Sequence, residues 1–153
     1  MSKRVDTMLH ENRFRVGRMV SQVRNQLVDA LDRELARFEI TAAQYVVLSI
    51  LADGRADSAS QVCKELAYNP GAMTRMLDRL ENKNIIKRLQ HPTDRRAAKL
   101  VLTDQGKAIY PELLSCAQVV TDASLGGFAA EELVQLEGFL ARILASSQAT
   151  APD

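Results

Sequence analysis

Between Asn69 and Leu102 the hydrophobic period of the chain changes from that of a helix to that of a strand, and this change limits the fold more than any other feature. Met73, Met76, Leu77 and Leu80 follow the i, i+3, i+4, i+7 rule, so they form the inward stripe of a helix running from Pro70 to about Lys83. Asn69 stands at the N-cap and Pro70 at the first helical position, the places those residues favour. Asn84 tolerates the left-handed conformation that closes a helix. The segments from Ile85 to Gln90 and from Ala97 to Leu102 then read as two strands. The turn His91-Pro92-Thr93-Asp94-Arg95-Arg96 joins them.

The flanking sequence is helical. From Glu11 to Arg37, residues Val16, Val20, Val23, Leu27, Leu31 and Phe38 recur mostly three and four apart, which places them on one stripe. A helix that long is expected to pack against another chain as well as its own. Thr41-Ala42-Ala43-Gln44 is a capping-box pattern opening a second helix that ends near Asp53-Gly54. Ser58-Ala59-Ser60-Gln61 repeats the device before a short helix through Val62, Leu66 and Ala67. Thr103-Asp104-Gln105-Gly106 restarts a helix to about Ser124, with Pro111 expected to kink it. Gly126-Gly127 breaks that helix, and a last one is expected from about Ala129 to Ser146, followed by a disordered tail over 147–153. The expected fold is therefore mainly α with a small β-hairpin wing (α+β), a single domain over 1–153.

Composition removes several functions. Aromatic residues make up 5% and Trp is absent, which argues against a stacking platform for single strands. No apolar run approaches the roughly 20 residues of a membrane span. Met1-Ser2-Lys3-Arg4 leads into polar sequence, so no membrane association is expected and the expected location is cytoplasmic. Two cysteines, Cys63 and Cys116, and two histidines, His10 and His91, are far apart in sequence. They give no metal-ligand spacing and no nucleophile in a strand-turn-helix setting, so no metal, cofactor or catalytic residue is expected. The net charge of +1 hides a gradient. Residues 55–99 carry 10 basic and 5 acidic side chains, whereas residues 100–153 carry 2 and 7. An anionic partner touching only the middle of the chain fits that distribution.

The outer face of the Pro70 helix carries Ala72, Arg75 and Arg79, with Lys83 a turn further. A helix can enter the major groove of duplex DNA, where arginines pair bidentately with guanine. Gly71 and Ala72 are small enough for close approach, and a bare helix start would offer amides to a phosphate. Asn69 and Thr74 are expected to contact phosphates. In the turn, Asp94 would fix the loop's shape and leave Arg95 or Arg96 for a minor groove. The competing reading makes Arg75 and Arg79 a solvated face bridged to Asp78 or Glu81, and the turn a solubilising loop.

The segment from Gly71 to Arg88, Gly-Ala-Met-Thr-Arg-Met-Leu-Asp-Arg-Leu-Glu-Asn-Lys-Asn-Ile-Ile-Lys-Arg, resembles the recognition helix and first wing strand of the MarR family of transcriptional regulators. Asp94-Arg95-Arg96-Ala97 and Leu102-Thr103-Asp104-Gln105-Gly106-Lys107 are similar to that family's wing signature and next helix start. The resemblance extends over nearly the whole chain. It implies a homodimeric winged helix-turn-helix protein, with 41–102 binding DNA and 8–38 and 103–146 forming the dimer helices. It further implies a pseudo-palindromic double-stranded operator and repression relieved by a small-molecule effector. Two departures are visible: Asn84 stands where the family has Gly, and Asn69-Pro70-Gly71 is an unusual opening of the recognition helix. In proteins of this kind phenolic or aromatic carboxylic acids lodge between the dimer helices and the DNA-binding part. His10, Arg13, Phe14, Arg18 and Tyr45 are the residues expected to line such a cleft, against a plainer reading as surface arginines with core aromatics. A thiol-based redox regulator using Cys63 and a winged-helix protein-interaction module are the alternatives.

Overall fold

The computed structural model describes residues 2–90 and 98–148. Helix α1 spans Ser2–Leu35, starting well before Glu11, and its exit tightens into a 3-10 turn over Ala36–Phe38. Helices α2 (Ala42–Ala52), α3 (Ala59–Leu66) and α4 (Pro70–Asn82) follow, then strands β1 (Ile86–Gln90) and β2 (Ala98–Leu102). Helices α5 (Asp104–Leu125) and α6 (Ala130–Gln148) complete the chain. The wing is a two-stranded antiparallel sheet with Ile86 opposite Leu102 and Gln90 opposite Ala98. Its turn, 91–97, lies outside the described residues. No single helix among the described residues is long and apolar enough to cross a membrane.

Contacts divide the chain into two compact units, Met1–Val120 and Thr121–Asp153. The first holds the core, in which Leu35, Leu48, Ile50, Val62, Met73, Leu77, Leu80, Ile86 and Leu113 are fully buried. Helix α4 therefore buries its whole predicted stripe. Helix α1 does so only at its end: Leu35 is buried, yet Val16, Val20 and Val23 are 40–51% exposed. In the second unit, α5 ends at Leu125 and the Gly126 amide donates to the Asp122 carbonyl at 2.9 Å. A Cβ on Gly126 would lie 2.5 Å from that same oxygen, so the turn needs glycine. Helix α6 begins with the Ala129 amide donating to Glu132 Oε2 at 2.9 Å. It extends through Gln148, two residues into the expected tail, and residues 149–153 lie outside those described.

Local sequence explains the joints that orient α4. The Thr41 capping box forms in both directions, Gln44 N–H to Thr41 Oγ1 at 3.2 Å and Thr41 N–H to Gln44 Oε1 at 3.0 Å. Asp32 of α1 adds a bond from the Ala42 amide at 2.6 Å, so the first turn of α2 is tied to α1. The second box forms by half. Ser58 Oγ accepts from Gln61 N–H at 3.4 Å, but the Gln61 side chain accepts from Asp57 N–H instead. The displaced segment bridges to the wing: Ser58 pairs with Lys99, and Leu100 N–H donates to the Asp57 carbonyl at 2.6 Å.

The base of the wing is closed by the start of α5. Asn84 has φ of 57°, the left-handed backbone expected where the family has glycine. Thr103 Oγ1 donates to the Asn84 carbonyl at 2.6 Å and accepts from Gly106 N–H at 3.0 Å. Helix α5 lies so close to this turn that a Cβ on Gly106 would meet the Ile85 oxygen at 2.1 Å. The Thr103–Gly106 pattern is thus the clasp between wing and α5. Helix α5 runs on through Pro111 as one helix.

Candidate nucleic-acid interface

Helix α4 starts as the sequence predicts. Asn69 Oδ1 accepts from Ala72 N–H at 3.1 Å, and Pro70 occupies the first turn. Its end is not bare, however. Pro70 has no N–H, Ala72 is capped, and Met73 donates to the Asn69 carbonyl at 2.9 Å. Only the Gly71 amide remains without a partner among the described residues. Gly71 also leaves room for the cap, since a Cβ there would stand 3.3 Å from Asn69 Oδ1. Thr74 Oγ1 donates to the Pro70 carbonyl at 3.0 Å, so a phosphate contact from its hydroxyl hydrogen would exchange that bond rather than add one.

The outer face is set by the buried one. With Met73, Met76, Leu77 and Leu80 inward, Gly71, Thr74, Arg75, Asp78 and Arg79 are exposed and Ala72 is half-buried. Arg75 and Arg79 have no ion-pair partner among the described residues. Their sequence neighbours Asp78 and Glu81, offered above as bridging partners, are taken by Arg88 of β1. Arg88 Nη2 lies 2.8 Å from Asp78 Oδ1, and Nη1 contacts Glu81 Oε2. The Arg88 amide adds a bond to Glu81 Oε1 at 3.2 Å. Burial opposes charge on the Arg88 guanidinium, but the two carboxylates outweigh it and raise its pKa above the ordinary arginine value. Lys83 is drawn off the face, its ammonium donating to the Glu39 carbonyl beyond α1. Asp94, Arg95 and Arg96 fall in the segment outside the described residues.

The five residues expected to bind an effector are not brought together within the chain. His10, Arg13, Phe14 and Arg18 are exposed on α1, Phe14 at 76%. Tyr45 sits on α2, which is tied to α1 at Asp32. Asp32 is 18 residues beyond Phe14, or about 27 Å along a helix. Tyr45 stacks on Tyr110 of α5, centroids 6.4 Å apart and planes 12° from parallel. Burial raises both phenol pKa values above the ordinary tyrosine value, Asp53 adds to the rise, and Arg55 opposes it at Tyr110. Tyr110 lines an open cavity of about 800 Å³ between the end of α2, β2 and the start of α5, with Leu51, Arg55, Val101, Lys107 and Pro111. None of the five lines it. Its polar groups are scattered over four segments, so nothing in the sequence marked it as a site.

Among the described residues no group of histidine, cysteine, aspartate or glutamate could hold a metal ion. Both cysteines are free thiols. Cys63, the redox alternative, is half-buried against the core. Cys116 is buried, with Arg37 Nη2 donating to its sulfur at 3.7 Å.

The fold agrees with what comparison with known proteins finds. The MarR family model matches residues 40–98, from the start of α2 into the wing. The chain is 32% identical over 133 residues to the multiple antibiotic resistance protein MarR of Escherichia coli (strain K12), covering 84% of this chain and 90% of that protein. It is 25% identical over 146 residues to the transcriptional repressor MdtR of Bacillus subtilis (strain 168), covering 95% and 92%. A cysteine-to-serine variant of E. coli MarR solved with operator DNA superposes with a TM-score of 0.78 at 30% identity, over 87% of this chain and 96% of that one. Members of the family are transcriptional regulators rather than enzymes. The chain belongs to the MarR family and is a DNA-binding transcriptional regulator of the winged-helix type.

Proposed function

We propose that the protein is a homodimeric cytoplasmic repressor that binds a pseudo-palindromic operator and is released from it by a small molecule. Helix α4 enters the major groove, where Arg75 and Arg79 read bases, and Asn69, Gly71, Ala72 and Thr74 lie against the backbone. Asp94 shapes the wing tip, and Arg95 or Arg96 follows the adjacent minor groove. The observation that carries this reading is the state of Arg75 and Arg79: exposed, without ion pairs among the described residues, on a helix whose other face is wholly buried. The competing reading pairs those arginines with Asp78 or Glu81, both of which Arg88 holds instead. E. coli MarR, solved with operator DNA, supports the partner, and the name of MdtR supports repression.

Residues 8–38 and 103–146 form the dimer helices in this reading. The support is their apolar surface: Phe14, Val16 and Val23 on α1 and Val134, Phe139 and Leu144 on α6 are each at least half exposed. Two-fold symmetry then separates half-site centres by about 10 bp, one turn of duplex. For the effector, an aromatic or phenolic acid, the geometry favours the cavity beside Tyr110 and Lys107. The alternative is the open face of His10, Arg13, Phe14 and Arg18, where a second chain would have to supply the missing wall.

Selection of bound duplexes from the source genome, followed by footprinting, tests the reading. A palindromic consensus with half-sites one turn apart is expected, protected in two adjacent major grooves. Binding of all duplexes at the generic level of roughly 10⁻⁴–10⁻⁶ M would overturn it in favour of a protein-interaction module.

A further inference from the structure

One guanidinium holds both acidic groups of the recognition helix. Asp78 lies three residues from Arg75, whereas Glu81, two residues from Arg79, points to a different side of the helix. Spacings of three and four along a helix bring side chains within reach of one another, so a free Asp78 would compete with DNA for Arg75. Arg88 prevents this from outside the helix. Its two terminal nitrogens face separate acids, Nη2 at 2.8 Å from Asp78 and Nη1 against Glu81, while its backbone amide fixes Glu81's other oxygen at 3.2 Å. The Arg88 side chain is 29% exposed and that of Asp78 51% exposed, so the cluster lies at the edge of the exposed face and partly under solvent. A lysine could not do the same, because an ammonium is a point charge whereas the guanidinium presents a rigid fork of donors.

We propose that Arg88 is a positioning residue for DNA reading: by occupying Asp78, it keeps Arg75 unpaired and aimed at the groove, while its second bond holds Glu81. It also spares the incoming phosphates two uncompensated negative charges on the reading helix. The inference rests on the proposal that α4 reads DNA, and it adds that a residue of the wing strand sets how well the helix discriminates.

The test measures affinity of the full-length protein for its selected duplex and for a scrambled duplex, at several salt concentrations. Five proteins are compared: wild type, Arg88→Gln, Arg88→Lys, Asp78→Asn/Glu81→Gln, and the triple substitution that combines Arg88→Gln with both acid substitutions. Arg88→Gln should lose discrimination by roughly tenfold or more, the scale of one bidentate base contact, and its log Kd against log salt slope should flatten. Neutralising the two acids with Arg88 intact should leave discrimination within about threefold of wild type. The triple substitution, which has lost every ion pair but has no acid left to capture Arg75, should recover to the same level. Arg88→Lys should fall between. If the triple protein stays as poor as Arg88→Gln, Arg88 acts as a tether or as a DNA contact itself, and the proposal is wrong. The proposal also fails if Asp78→Asn/Glu81→Gln loses discrimination, a variant that keeps the arginine should folding of Arg88→Gln be in question. Lack of discrimination by the wild-type protein would mark a failure of the DNA-reading proposal itself.

Discussion

Helix α4 and the first half of α1 look alike in sequence, each an apolar stripe with arginines on another face, and the structure treats them in opposite ways. In α4 the stripe of Met73, Met76, Leu77 and Leu80 is buried in its own chain, and the arginines are left for a partner. In α1 the stripe itself is left over, with Val20 40% and Val23 51% exposed. The period of a helix therefore states which residues want to be covered, and not by which chain. Burial within the chain rigidifies α4, the helix proposed to read DNA. Exposure marks the start of α1 as a surface waiting for cover, an interpretation that the proposed homodimer satisfies.

The largest expected effect is on the buried side of this contrast. Leu80→Ala should lower unfolding free energy by about 2–5 kcal/mol, because Leu80 is fully buried and its removal leaves a cavity. Urea denaturation followed by circular dichroism measures it. A loss below about 1 kcal/mol would mean that α4 is far less embedded than described. Next comes the clasp that holds the wing beside α4. Gly106→Ala forces a carbon to within 2.1 Å of the Ile85 carbonyl and should cost about 1–3 kcal/mol as overpacking, seen as a lower midpoint in the same titration. Asn69→Ala removes the cap of α4 and should cost about 1 kcal/mol, while Asn69→Asp should keep most of it. The smallest effect on folding is expected on the exposed side. Val20→Glu should change the unfolding free energy of the dilute chain by no more than about 0.5 kcal/mol, yet weaken self-association in sedimentation velocity. Unchanged association would remove α1 from the interface and break the comparison.

How much could be read in advance followed the range of the interactions. Caps within four residues were legible: Thr41 with Gln44, Asn69 with Ala72, and the left-handed Asn84 all stand where local chemistry puts them. The stripe of α4 and the existence of the two wing strands were legible from their periods. Where a longer-range partner competed, the local rule lost. Gln61 turned from Ser58 to the Asp57 amide as that segment joined the wing, and Lys83 left the arginine face for the Glu39 carbonyl. The expectation of a bare α4 start overlooked how completely Asn69 and Pro70 account for its amides. Arg88 was passed over because its partners lie seven and ten residues away on another element. No periodicity connects a strand residue to a helix face. The effector site suffered most, since a cleft assembled from four segments, or from two chains, leaves no pattern along one.

Arg75 and Arg79 of α4 are proposed to read the bases of duplex DNA. Fluorescence anisotropy with the selected operator and a scrambled duplex of equal length, at one physiological salt concentration, tests this most directly. The wild-type protein should prefer the operator by roughly 10³-fold or more. Arg75→Ala/Arg79→Ala should lose most of that preference and bind the two duplexes with similar, weak affinity. A double variant that still prefers the operator as strongly as the wild type would show that other residues read the bases.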